Sequence, residues 1–127
     1  MKKGYTLIEL IIVVVILAVL AVVVLSRYIN LSDQAYSSIE KATVGAVKVG
    51  IVTYYLDPAR GNYHNYPSGL DNATVGYASS GNLFFNFILD QPVTSPDWRK
   101  TVPNTYLYVP TGNTWTYNAN VGLFTAP

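Results

Sequence analysis

The chain changes character three times along its length. From Tyr5 to Leu25 (YTLIELIIVVVILAVLAVVVL) it is apolar almost without a break, with one charge, Glu9, and no Gly or Pro. As a helix this stretch is roughly 31 Å long, matching the ~30 Å hydrocarbon core of a bilayer. Lipid offers no partners to open backbone groups, so a helix is required despite the many valines. From Arg27 to Leu56 the pattern becomes amphipathic, with Tyr28, Leu31, Ala35, Ile39, Ala42, Ala46, Val49, Thr53 and Leu56 recurring every three or four residues. That spacing predicts one helical face. Asp57-Pro58 ends it, since a residue before proline avoids the α region. The expectation is a single long helix, half apolar stem and half amphipathic.

The remainder reads as turns and short strands. Residues 58–81 are turn-rich, and Asn72-Ala73-Thr74 within them reads as a surface loop. Asn82 to Leu89 is short and apolar, expected as a short helix or turn that packs Phe84, Phe85 and Phe87 onto the long helix. Pro92, Pro96 and Pro103 punctuate an expected loop around Trp98. Thr105–Val109 and Thr114–Asn118, separated by Pro110-Thr111-Gly112-Asn113, read as a hairpin with a four-residue loop. Val121–Thr125 offers a third strand. The predicted fold class is α+β: one long N-terminal helix, transmembrane then amphipathic, packed on a small antiparallel β-sheet.

Lys2 and Lys3 precede the apolar span and Arg27 follows it, so the positive-inside rule puts the N-terminus in the cytoplasm and the body outside. A cleaved secretory signal is the competing reading, but its apolar region runs ~7–15 residues to a small-residue site. Here the run continues past Ala18 and Ala21 through Val22-Val23-Val24-Leu25. Glu9 matters more. A carboxylate within a spanning helix is costly and calls for a named partner.

Lys2-Lys3-Gly4 followed by Tyr5-Thr6-Leu7-Ile8-Glu9-Leu10 resembles the type III signal of type IV prepilins and type II secretion pseudopilins. The resemblance is sharp over about the first thirty residues and architectural beyond them. It implies the pilin fold, and a division into a leader (1–4), a transmembrane and filament-core helix (5–26) and a globular head (27–127). It implies cleavage by prepilin peptidase between Gly4 and Tyr5, N-methylation of Tyr5, and Glu9 as the assembly carboxylate. Cleavage creates an ammonium at Tyr5, which Glu9 of another subunit can neutralise in a low-dielectric bundle. Implied partners are membrane lipid before assembly, further copies in a helical homo-oligomer, and the inner-membrane assembly platform with its ATPase. Implied locations are the inner membrane, then an extracellular filament. Where that family often has Phe first, and Gly and Pro within and after the span, this chain has Tyr5, Ala18 and Ser26. A helix continuous through Ser26 is therefore expected.

Composition narrows the alternatives. With one His and no Cys there is no ligand cluster of metal spacing, no cysteine nucleophile and no disulfide to close the head. The expectation is therefore no catalytic residues, no metal and no cofactor, with His64 a solvated loop residue and Asp57, Asp71, Asp90 and Asp97 scattered. Major pseudopilins usually hold calcium in a late acidic loop, yet no acidic side chain follows Asp97. Eight Lys+Arg face seven Asp+Glu, leaving no basic stripe for nucleic acid. The eleven tyrosines are expected at half-buried strands and interfaces. Three functions stay open: a pilus subunit, a type II secretion pseudopilin, and a non-polymerising, single-span membrane-anchored binding protein.

Overall fold

The computed structural model describes residues 4, 6–60 and 64–127. A single helix, α1, runs Leu7–Leu56 and carries straight through Ser26. No Gly or Pro interrupts its first half, so its backbone ladder is unbroken. It stops where the sequence predicts. The Asp57 carboxylate accepts the Ala59 N–H at 2.9 Å, and a 3-10 turn, Pro58–Arg60, leads away. By contact density the chain divides into two compact units, Met1–Ala35 and Tyr36–Pro127. The first is helical throughout residues 7–35, and its large apolar side chains are exposed.

The second unit holds the end of α1 and an antiparallel sheet in sequential order: β1 (Gly76–Tyr77), β2 (Trp98–Val102), β3 (Thr105–Tyr108), β4 (Asn113–Asn118) and β5 (Leu123–Thr125). The expected hairpin is β3–β4, with Tyr106 opposite Trp115, and the expected third strand is β5. Two strands were not expected. β1 adds two residues of the turn-rich stretch to the edge of β2. β2 occupies the segment assigned to a proline-punctuated loop, because Pro96 and Pro103 flank the strand and do not interrupt it. Pro103-Asn104 forms the tight β2–β3 link, with Asn104 at φ 61°. Proline fixes the first turn residue and asparagine tolerates the left-handed second.

Alternation along the strands builds the core. Trp98, Tyr106, Tyr108, Tyr117 and Phe124 are buried together with Val44, Val47 and Ile51 of α1. Phe85 sits at the centre, with ring centroids 4.6 Å from Tyr106, 5.9 Å from Trp98 and 5.8 Å from Phe124. Of the three phenylalanines expected in the core, Phe84 and Phe85 are fully buried, whereas Phe87 is 41% exposed on the outside of the turn.

The helix face that meets the sheet also differs from expectation. Ile39, Ala42, Ala46, Val49, Thr53 and Leu56 are exposed; the buried stripe is Glu40, Val44, Val47, Gly50 and Ile51. Both stripes satisfy helical spacing. Long-range contacts decide between them. A Cβ on Gly50 would lie 2.6 Å from the Ile88 carbonyl oxygen, so only glycine permits that approach. Glu40 is buried because its carboxylate accepts Thr111 Oγ1 (3.1 Å), Asn113 Nδ2 (3.0 Å) and Trp115 Nε1 (2.8 Å) from the β3–β4 hairpin.

A second carboxylate ties the loops to the sheet. Asp71 accepts Lys100 Nζ at 2.7 Å and the Ala73 N–H at 3.1 Å on one oxygen, and Tyr106 Oη at 2.6 Å and the Phe85 N–H at 3.0 Å on the other. Lys100 also donates to the Ala73 carbonyl at 3.0 Å. Every group in this node is satisfied, which is what makes its burial tolerable. The bond from Phe85 also holds that residue at φ 61°, a conformation uncommon for an aromatic side chain.

Two measurements test this packing. A Cβ on Gly45 would meet nothing within 4 Å, so Gly45→Ala should raise the thermal midpoint of the full chain in detergent, by up to about 1 kcal/mol of stability. Gly50→Ala should lower it by about 1–3 kcal/mol through overpacking, despite the same propensity gain. The second test is alkaline. Burial is the main cause holding the Tyr117 phenol up at about 12, and it pushes Tyr106 and Tyr108 upward too. The unfolded chain loses these protons near pH 10 and the folded chain loses them later. Stability is therefore complete below pH 10 and falls above it, for Tyr117 through pH 12. Denaturant titrations at pH 9 and 11 read this directly; equal stabilities would contradict it.

Candidate functional site

The first turn of α1 holds the residues singled out by sequence. Gly4 is exposed and outside regular structure, and Tyr5 lies outside the described residues. Thr6 then opens the helix, its carbonyl accepting the Leu10 N–H at 3.2 Å. The Thr6 N–H donates to Glu9 Oε2 at 3.2 Å, and the Glu9 N–H donates to Thr6 Oγ1 at 3.1 Å. This is a reciprocal capping box, satisfying two of the amide donors that a helix start leaves open.

The box gives Glu9 a fixed place. Its carboxylate is folded back toward the chain end that precedes it, within the positive end of the helix dipole. One oxygen is committed to Thr6, and among the described residues Oε1 accepts no hydrogen bond. Around it the surface is apolar and exposed: Leu7 and Ile8 are 76% and 70% accessible, and the apolar side chains through Leu25 stay open. By length and composition α1 can cross a membrane. The site therefore presents one oriented anion on an otherwise greasy rod.

Sequence reasoning brought out Glu9 but gave Thr6 no role. The signal was there, since Thr6-Leu7-Ile8-Glu9 before an apolar run has the spacing of a capping box. Away from this site, His64 packs against Tyr55 at 5.3 Å, with its own φ at 65°. Among the described residues no three of His, Asp and Glu come together as a metal site.

Comparison with known proteins gives the following. The prokaryotic N-terminal methylation motif matches residues 1–25. The type IV major pilin protein PilE of Neisseria gonorrhoeae is 32% identical over 93 residues, which is 73% of this chain and 52% of that protein. The type IV narrow pilus major component PilA5 of Thermus thermophilus is 46% identical over 46 residues, 36% of this chain and 40% of its own. The type II secretion system core protein G of Pseudomonas aeruginosa is 38% identical over 56 residues, 44% and 39% of the two chains. The chain thus spans about half the length of these relatives, or less. No solved structure matches.

The capping box makes a local prediction. Thr6→Ala removes the acceptor of the Glu9 N–H and should cost about 1 kcal/mol at the helix start. Amide exchange of Glu9 and Leu10 in detergent should quicken about fivefold, with the second unit unchanged; equal exchange would show the box to be idle.

Proposed function

We propose that this chain, a member of the type IV pilin and pseudopilin family, is a structural subunit of a type IV pilus-like filament. In this reading prepilin peptidase cuts between Gly4 and Tyr5 and methylates the new Tyr5 amine. Residues 5–26 hold the subunit in the inner membrane. The assembly platform and its ATPase then extract it into an extracellular homo-oligomer.

The observation that carries the reading is the placement of Glu9. A lone carboxylate within an apolar helix needs a cationic partner once water is removed. Hydrolysis of the Gly4–Tyr5 amide supplies one, an ammonium beside the helix start. The capping box keeps Glu9 Oε2 on Thr6 and turns Oε1 to the ammonium of a neighbouring subunit. Apolar contact then supplies adhesion and the ion pair supplies register. Thr6 acts as a positioning residue, since it fixes the carboxylate without meeting the partner.

The likeness to core protein G supports a second reading, a pseudopilin of a type II secretion system. Deleting the gene and scoring surface filaments against protein export separates the two. A single-span binding protein that never polymerises is the third.

The decisive measurements are the mass and the assembly of the mature chain. Material recovered from cells should begin at methylated Tyr5; an intact Met1 in assembled filaments overturns the processing. Glu9→Leu should abolish filaments while the subunit still accumulates in the membrane. Unchanged filaments would remove Glu9 from assembly.

A further inference from the structure

Beside the face of α1 that packs on the sheet runs a groove of about 420 Å³. Its floor is Gly45, Ala46, Val49 and Thr53, and its far wall is the turn at Ile88, Leu89 and Asp90. The groove is apolar with one acid at its rim. Asp90 is exposed and makes no ion pair among the described residues. Gly45 is a glycine in mid-helix with open space above it, so no contact within the chain accounts for it. A mid-helix glycine costs stability and is useful where something else approaches closely.

The segment just past the apolar span has the opposite pattern. Arg27 is exposed, and Tyr28, Ile29 and Leu31 beside it are 70%, 58% and 63% accessible. These large side chains lie beyond Leu25, where the uninterrupted apolar run ends, and next to the charge of Arg27. They are a basic and apolar knob without a hole.

We infer that the two fit each other between copies: Tyr28 of one subunit seats in the Gly45–Ala46 notch of another, with its Arg27 paired to Asp90. This rests on the polymer reading and adds a second contact to the one at Glu9. The apolar knob supplies the adhesion. The partly desolvated Arg–Asp pair sets which way the knob enters, as charge pairs at interfaces do. The two surfaces are different parts of the chain, so the contact is heterologous, and repeating it extends a filament without closing a dimer.

The chain has no cysteine, which makes cross-linking clean. Filaments carrying Tyr28→Cys with Ala46→Cys, oxidised after shearing, should run as a thiol-reversible ladder of multimers. Each single variant should lack the ladder. Arg27→Asp should lower filament yield at least tenfold with normal subunit levels, and Asp90→Arg in the same chain should restore it. Double-cysteine filaments that stay monomeric after oxidation, or a charge reversal without effect or without rescue, overturn this contact and leave the polymer reading standing. Failure of the unaltered chain to form any filament overturns both.

Discussion

Residues 7–25 present a rod of branched aliphatic side chains that water solvates poorly, and everything else about the molecule follows from where that rod goes. At about 25 cal/mol per Å² of apolar surface, leaving it in water is not an option. Lipid and a bundle of like rods are both acceptable. The two are nearly equivalent for an aliphatic side chain, so transfer between them needs little driving force from the apolar surface itself. What distinguishes the two environments is the treatment of charge. In the proposed filament, the capped and oriented Glu9 would meet a cation among like rods and none among acyl chains.

The head solves a different problem with similar means. Without a disulfide it is held by an aromatic core and two buried carboxylates, Glu40 and Asp71. Glu40 joins α1 to the β3–β4 hairpin through three neutral donors, and Asp71 joins the irregular segment at residues 71–85 to β2 and β3. Buried acids are costly when unmatched and selective when matched. Each fixes a register that apolar packing alone would leave loose. The same logic would apply at Glu9 in the proposed filament, where a neighbouring subunit would add a donor to the one that Thr6 already supplies.

Most of the architecture was legible in the sequence because it is written in local patterns. The apolar run, the Asp57-Pro58 stop, the hairpin and the last strand need only periodicity and turn chemistry. The misses in the helix face and in β2 involve partners far away in the chain. The face of α1 against the sheet was ambiguous, since two stripes obey the spacing and only the Gly50–Ile88 approach and the Glu40 bonds choose between them. β2 hides because Lys100 points inward, and Asp71 and the Ala73 carbonyl, well upstream, make that orientation tolerable. Phe87 looks like core by composition but lies outside the turn that Phe85 begins. In the site itself Glu9 stood out as a lone charge, while Thr6, an ordinary residue in an ordinary place, takes its importance from the residue three positions on.

The sheet ends in very little backbone. β1 has two residues and β5 has three, so each edge offers only a few open amide and carbonyl groups to a neighbour. Strand edges are the usual route by which crowded identical domains recruit one another into aggregates. Heads displayed at high density along a polymer would meet edge to edge constantly, and here such meetings have almost no ladder to extend. In the proposed filament, self-association would then fall to the helix, where it is directional, and the sheet, where it would run without limit, would add almost nothing to it.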